Sequence, residues 1–306
     1  LTGRGGTRGG HLAMLAFSAL VAGSFSLGSL AAPLIDPAAL SAVRFFLAGG
    51  VIGAVALATE GLPRSAARAP WRYGVLGGLL AIYFVAMFEG LKSAPPVPAA
   101  AVFTLTPVMA AGFGWLLLGQ RMSSRIALAL AIGAAGALWV IFRGNFAALA
   151  ALKIGQGEVI YFWGCLAHAV YTPMVRKLNR GEPAVIFTFG TLAAGCLLLM
   201  LWGLRSVLST DWAALPPVFW ITLLYLVVFA TAASFLCIQY ATLRLPSSKV
   251  MAYTYLVPSW VILWQIALGL ERPGLAVLPG VGLTALALVL LLKDEGVERQ
   301  TGSAGC

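Results

Sequence analysis

Long apolar stretches separated by short polar breaks run along almost the whole of this chain. Nearly uncharged runs of about 17 to 25 residues have the length of a helix that crosses a bilayer. Read in order, they predict ten helices, at 11–31, 38–59, 71–91, 96–119, 124–142, 155–176, 184–204, 217–242, 248–270 and 274–292. The breaks between them leave no room for a soluble domain or a nucleotide-binding cassette. The expected fold is an all-α membrane protein.

Two of the runs repeat each other. Phe103-Thr-Leu-Thr-Pro107 leads to Gly119-Gln-Arg121, and Thr254-Tyr-Leu-Val-Pro258 leads to Leu270-Glu-Arg272, with equal spacing from proline to arginine. Phe84 and Phe235 stand at equal distances before their prolines, and Pro37 and Gly49 are spaced as Pro183 and Gly195 are. The chain therefore divides into two five-helix units, 11–142 and 155–292. An odd number of helices per unit turns the second upside down relative to the first. An inverted repeat of this kind can exchange conformations between its halves and expose a midplane site to each side in turn.

Composition sharpens the class. The chain is 60% hydrophobic and 10% charged, with a net charge of +10. A soluble surface needs more charge than that. With the N-terminus inside, fourteen basic residues fall on the cytoplasmic side: Arg4, Arg8, Arg64, Arg68, Arg72, Arg121, Arg125, Arg176, Lys177, Arg180, Arg244, Lys249, Lys293 and Arg299. Five fall outside: Lys92, Arg143, Lys153, Arg205 and Arg272. That bias predicts both termini in the cytoplasm and accounts for the positive charge without nucleic acid. The first run, with arginines before it and Leu30-Ala-Ala at its end, has the outline of a leader, but its length and its place in the repeat make it a membrane helix. Cys165, Cys196 and Cys237 fall inside helices, and Cys306 follows them. None has metal-ligand spacing, so packing is expected, with no cofactor and no metal.

Helical spacing sorts the polar candidates. His168, Tyr171 and Thr172 share a face of the sixth helix, which should turn inward because a histidine facing lipid is costly. Trp163 lies partly on that face and equally suits an interfacial belt. Thr231, Phe235, Gln239 and Thr242 form a stripe on the eighth helix. On the ninth, Thr254, Pro258, Val261 and Gln265 form one face, Tyr253, Trp260 and Trp264 another, and Tyr255 with Ser259 a third. Tyr83 and Met87 are neighbours on the third helix. The candidate substrate cavity is His168, Tyr171, Thr172, Gln239, Tyr83, Trp163, Thr104, Thr254, Tyr253 and Tyr255. Packing competes with substrate contact at each lone aromatic.

Pro107 and Pro258 interrupt their helices by removing a backbone donor. Thr104 and Thr254 are placed to re-satisfy the carbonyls this frees. Hinge and static kink are both open for the two prolines. Arg44, six residues inside the second helix, is expected to snorkel to the headgroups or to guide an anionic group such as a carboxylate. Glu89 and Lys92 should form a local ion pair, and the GxxxG pairs Gly49/Gly53 and Gly74/Gly78 suggest close helix packing. The acids Asp36, Glu60, Glu158, Glu182, Asp211, Glu271, Asp294, Glu295 and Glu298 map to helix ends or loops. With no carboxylate near the midplane, proton coupling would fall to His168, and uncoupled export or exchange is equally open.

Arg44-Phe-Phe-Leu-Ala48, the segment Phe84 to Gly90, and Thr106-Pro-Val108 through Leu118-Gly-Gln-Arg121 resemble the EamA-type drug/metabolite transporter superfamily. Val257-Pro258 through Leu270-Glu-Arg272 resembles its second unit. The resemblance covers nearly the whole chain. It implies a ten-helix exporter of small metabolites, often amino acids, with a cavity between the halves. One subgroup exports aromatic amino acids, where an aromatic is expected just before the fourth-helix proline. Thr106 stands there instead, preceded by Thr104, which points away from strictly aromatic specificity.

The expected function is therefore export of small metabolites, foremost amino acids, from a bacterial inner membrane by alternating access, with amphipathic drugs as the alternative cargo. The partners expected are a small-molecule substrate and the lipid bilayer, with no nucleic acid, and the chain working as a monomer. An intramembrane enzyme built on Ser24 or Ser26 with His168 as base has no motif to fix its geometry. A receptor would not need two inverted halves, and no ring of charges marks a channel.

Overall fold

The structure is a computed structural model that describes residues 4–61, 63, 66, 68–120, 123–151, 154–270 and 274–302. Of the residues singled out above, Arg64, Arg121, Lys153, Glu271, Arg272 and Cys306 lie outside them, as do the side chains of Arg4, Lys293, Asp294, Glu295, Glu298 and Arg299.

The described residues form helices joined by short turns, without strands. The helices are α1 (Arg4–Ala31), α2 (Pro37–Thr59), α3 (Trp71–Leu91), α4 (Pro96–Phe103), α5 (Thr106–Leu118), α6 (Ser124–Ile141) and α7 (Phe146–Ala150). They continue as α8 (Gln156–Leu178), α9 (Ala184–Ser209), α10 (Pro217–Val227), α11 (Ser234–Thr242), α12 (Ser247–Ala252), α13 (Val257–Ala267) and α14 (Leu278–Gly302). Among the described residues, eight helical stretches are long and apolar enough to cross a membrane, counting α4–α5, α10–α11 and α12–α13 each as one. The other two expected spans fall on α8, which has 23 residues but is more polar, and on the shorter apolar stretch Leu275–Leu291. Large apolar side chains such as Leu201, Trp202, Leu208 and Leu224 are exposed on the outer surface. A bilayer covers such a surface; water would not.

Local chemistry sets the helix ends. The Asp36 carboxylate accepts from the amides of Ala38 and Ala39, at 2.8 and 3.3 Å, and Pro37 follows in the first turn, where its missing donor costs nothing. Ser123 caps α6 in the same way. Gly119 ends α5 in the left-handed region, with φ of 64°, a conformation other residues resist.

Helices that hold equivalent places in the two sequence units pack against each other antiparallel. Along α2 and α9, Ala38 meets Gly203, Gly49 meets Leu192 and Gly53 meets Phe189. Along α6 and α14, Gly136 and Gly280 face each other across the contact, and the Trp139 indole donates to the Ala276 carbonyl at 2.8 Å. The other main contacts also come in matched sets: α3 packs on α8 as α1 packs on α10–α11, and α8 packs on α4–α5 as α1 packs on α13. The close approach of α3 to α9 runs through Gly77, where an added methyl would sit 2.8 Å from the Gly195 Cα. Gly74 faces open space and Gly78 only touches Leu198, so the expected Gly74/Gly78 pair is not the packing surface.

Pro107 and Pro258 stand where their helices break, whereas Pro173 lies inside the continuous α8. α4 stops at Phe103, and Pro107 lies in the first turn of α5. α12 gives way to a tight turn over Tyr253–Leu256, and Pro258 lies in the first turn of α13. The carbonyl repair differs from the expectation at the first break. Thr106, not Thr104, donates to the Phe103 carbonyl, while Thr104 bonds Ala101 one turn earlier at 2.6 Å. Thr106 and Thr254 lie 3.4 Å apart and tie the two breaks together.

Candidate functional site

The stretch between α10 and α11 is a π-turn over Val228–Ala233. A π-turn widens the helix and frees carbonyls from their usual amide partners. Arg44 of α2 fills that opening. Its Nε donates to the Thr231 hydroxyl, which in turn donates to the Leu226 carbonyl at 2.6 Å. Its Nη2 donates to the Ala230 carbonyl at 2.8 Å. The guanidinium lies over the Phe84 ring, 3.9 Å from its centroid. The snorkelling expected of Arg44 is therefore overturned: the residue is fully buried. The freed backbone of the π-turn and the π-face of Phe84 draw the side chain inward.

Next to Arg44 is a cluster of rings drawn from α2, α3, α4, α8 and α11. Phe84 stacks on Phe235 at 5.9 Å, and Phe45 meets both edge-on. Tyr83 packs on His168 at 4.5 Å, Phe103 meets His168 at 5.3 Å, and Tyr171 lies 5.9 Å from it. The Tyr83 and Tyr161 hydroxyls are 3.0 Å apart, and the Gln239 amide donates to the Tyr171 hydroxyl at 3.1 Å. His168 Nδ1 and Gln239 Oε1 have no hydrogen-bond partner among the described residues. Buried polar atoms are ordinarily paired, so these two mark where another polar group fits.

The structure thus brings together four of the sequence candidates: His168, Tyr171, Gln239 and Tyr83. Thr172 lies beside them but bonds the His168 carbonyl of its own helix, at 3.4 Å. Thr104 and Thr254 belong to the helix breaks. Tyr253 is hydrogen-bonded to His11 at 3.0 Å, and Tyr255 packs on Gly133 with its hydroxyl on the Leu130 carbonyl at 3.4 Å. Trp163 is 61% exposed on the outer surface, away from the cluster. Trp260 and Trp264 pack on Ser18 of α1 and Tyr225 of α10, at 3.3 and 5.5 Å.

A cavity of about 440 Å³ opens at the far end of α3, lined by Ser29, Leu30, Pro95–Pro98, Arg143, Gln265, Leu270, Gly274 and Val277. Gln265, which donates to Ser26 at 2.9 Å, is its main polar group toward the interior. None of these residues was among the sequence candidates for substrate contact, although Gln265 shares a helical face with Pro258. The opposite end of α3 is tied to the turn between α8 and α9. Arg72 is buried and reaches Glu182 at 2.7 Å and the Leu178 carbonyl at 2.7 Å. Burial opposes ionisation of Glu182, but hydrogen bonds from Arg72 and from backbone amides outweigh it and hold the carboxyl below its ordinary range. Lys92 and Glu89 form the expected local pair at 2.7 Å.

A helical bundle with an apolar outer surface, buried polar groups at its centre and a cavity open at one end is the build of a multi-pass membrane transporter. The chain belongs to the EamA-like transporter family, whose model matches it twice, over residues 8–142 and 155–293. It is 24% identical over 261 residues to the uncharacterized transporter YyaM of Bacillus subtilis, covering 85% of this chain and 86% of that protein. It is 25% identical over 284 residues to an uncharacterized transporter of Archaeoglobus fulgidus, covering 90% and 96%. A shorter match of 129 residues, 42% of each chain, is 33% identical to the aromatic amino acid exporter YddG of Ancylobacter novellus. One protein crystal structure superposes with a TM-score of 0.71 at 22% identity over 94% of this chain and 96% of that one, a likeness of fold.

Proposed function

We propose that this chain exports small amphipathic metabolites, amino acids foremost, by alternating access across a bacterial inner membrane. Ten spans form two inverted five-helix units, 11–142 and 155–292, with both termini cytoplasmic. The antiparallel pairing of α2 with α9 and of α6 with α14 supports that reading, because an axis in the membrane plane relates equivalent helices in this way. The observation that carries the function is the buried polar and aromatic cluster of Tyr83, His168, Tyr171 and Gln239, with unpartnered atoms on two of its members. It lies between a cavity open at one end of α3 and the Arg72–Glu182 tie at the other. Pro107 and Pro258 act as hinges, since each already separates two helical segments joined by a tight turn. The partial likeness to an aromatic amino acid exporter supports amino acids as cargo. No cofactor is needed, and a single chain suffices.

Reconstituted vesicles tested against a panel of amino acids and amphipathic drugs, with and without a pH gradient, decide the matter. Amino-acid flux is expected. Flux of drugs alone would replace the cargo, and no flux of any compound would overturn the reading.

A further inference from the structure

Arg44 brings a full positive charge into the centre of the bundle, and the protein does little with that charge. Two of its nitrogens donate to Thr231 and Ala230, a task that an uncharged donor would serve equally well. The Phe84 face responds to the charge itself. Nη1 is buried and has no hydrogen-bond partner among the described residues, and no carboxylate among them forms an ion pair with the residue. A buried guanidinium without a counter-charge is unfavourable, and ionisable groups inside a membrane are ordinarily paired or functional.

A second orphan lies close by. Ser41 is one helical turn before Arg44 on the same face of α2, is fully buried, and its hydroxyl has no partner among the described residues. Two unused donors, one of them cationic, match the two oxygens of a carboxylate. The stacked pair Phe84 and Phe235 adjoins Arg44 and offers an apolar surface. One turn beyond Phe235 on α11, the unpartnered Gln239 Oε1 offers an acceptor suited to an ammonium group.

We propose that Arg44, with Ser41, is the anion subsite of the transported molecule, and that the cargo carries a carboxylate held there while its apolar part lies on Phe84 and Phe235. This rests on the transport reading and narrows it. Amines, amides and neutral drugs lack the group that compensates Arg44 and are poor cargo.

The test uses the full chain in proteoliposomes. Counterflow of radiolabelled L-leucine and L-phenylalanine is competed with three analogues of each: the amide, the decarboxylated amine (isopentylamine or phenethylamine) and the deaminated acid (isocaproate or hydrocinnamate). The acids should compete, and the amides and amines should compete about tenfold more weakly or worse, the factor expected when a buried charged group loses its partner. Arg44→Gln should abolish that preference, and Arg44→Lys should keep part of it. The wild-type analogue series stands even if the variants fail to fold. Equal competition by carboxyl-free analogues, with counterflow intact, overturns this inference and leaves transport standing. Protection against thermal unfolding by chloride or acetate equal to that by the amino acids would make Arg44 a general anion site and overturn it too. Absence of both counterflow and stabilisation by any of these compounds would overturn the amino-acid reading and this inference with it.

Discussion

Phe84 of α3 and Phe235 of α11 stack on one another, 5.9 Å between centroids and 26° between planes. They hold equivalent places before Pro107 and Pro258, so the contact joins the two sequence units through matching residues. Truncating either ring should cost about 3–5 kcal/mol, as for aromatic residues in packed cores. The double variant should recover a coupling of about 0.5–1.5 kcal/mol. Unfolding of Phe84→Ala, Phe235→Ala and the double variant in mixed micelles measures both. Strict additivity would mean the rings do not act as a pair.

Gln239→Leu and Tyr171→Phe each break the 3.1 Å hydrogen bond at the cluster. Each leaves its buried partner unpaired, a cost of about 1–3 kcal/mol, so melting temperatures should fall modestly. Counterflow should fall several-fold if these groups touch cargo. Wild-type flux of every amino acid in both variants would remove the cluster from the transport path.

The Arg72–Glu182 pair should make stability depend on acid. The Glu182 carboxyl is held below its ordinary value in the folded state. The stabilisation is therefore complete above that value and is lost as pH falls through the lower folded one. Thermal unfolding of wild type should weaken across this acid window by more than that of Glu182→Gln. At neutral pH the variant itself should lose about 1.5–3 kcal/mol, the worth of a hydrogen bond to a charged group. Parallel acid profiles for the two proteins would contradict the assignment.

Gly77→Ala should destabilise the bundle by about 1–3 kcal/mol, the usual cost of forcing extra volume into a packed contact. Gly74→Ala, one turn away and facing open space, should be tolerated. A comparison of melting temperatures is enough, and equal effects would mean that α3 and α9 are not in close contact.

If the helix breaks are hinges, Pro107→Ala and Pro258→Ala should slow counterflow while the concentration for half-maximal exchange stays the same. A static kink predicts a change in stability without a change in turnover. Measuring rate and apparent affinity on the same vesicles separates the two.

The bundle was largely legible because a bilayer imposes long apolar runs and because prolines, glycines and Asp36 mark where helices begin and stop. Helical spacing also placed His168 with Tyr171, and Phe235 with Gln239. It failed where a tertiary contact decided the outcome. Nothing local turns Arg44 inward; the cause is the π-turn of a distant helix, and a period of 3.6 residues gives no sign of one. Glycine spacing picked Gly74 and Gly78, but the face that meets α9 is set by how the helices pack, and that selects Gly77. Trp163 sits on the same helix as His168, yet only the structure separates the side facing lipid from the side facing the cluster.

The π-turn at Val228–Ala233 carries one residue more per turn than the helix around it. Deleting a single residue there would close the wide turn to ordinary winding, and because that turn alone holds the extra residue, the flanking helices would keep nearly the same phase. Phe235 would stay near Phe84 and Gln239 near Tyr171, while the backbone carbonyl that receives Arg44 would be reclaimed by its own helix. A length change too small to alter the number of spans would thus remove the seat of the buried charge and leave the rings around it in place.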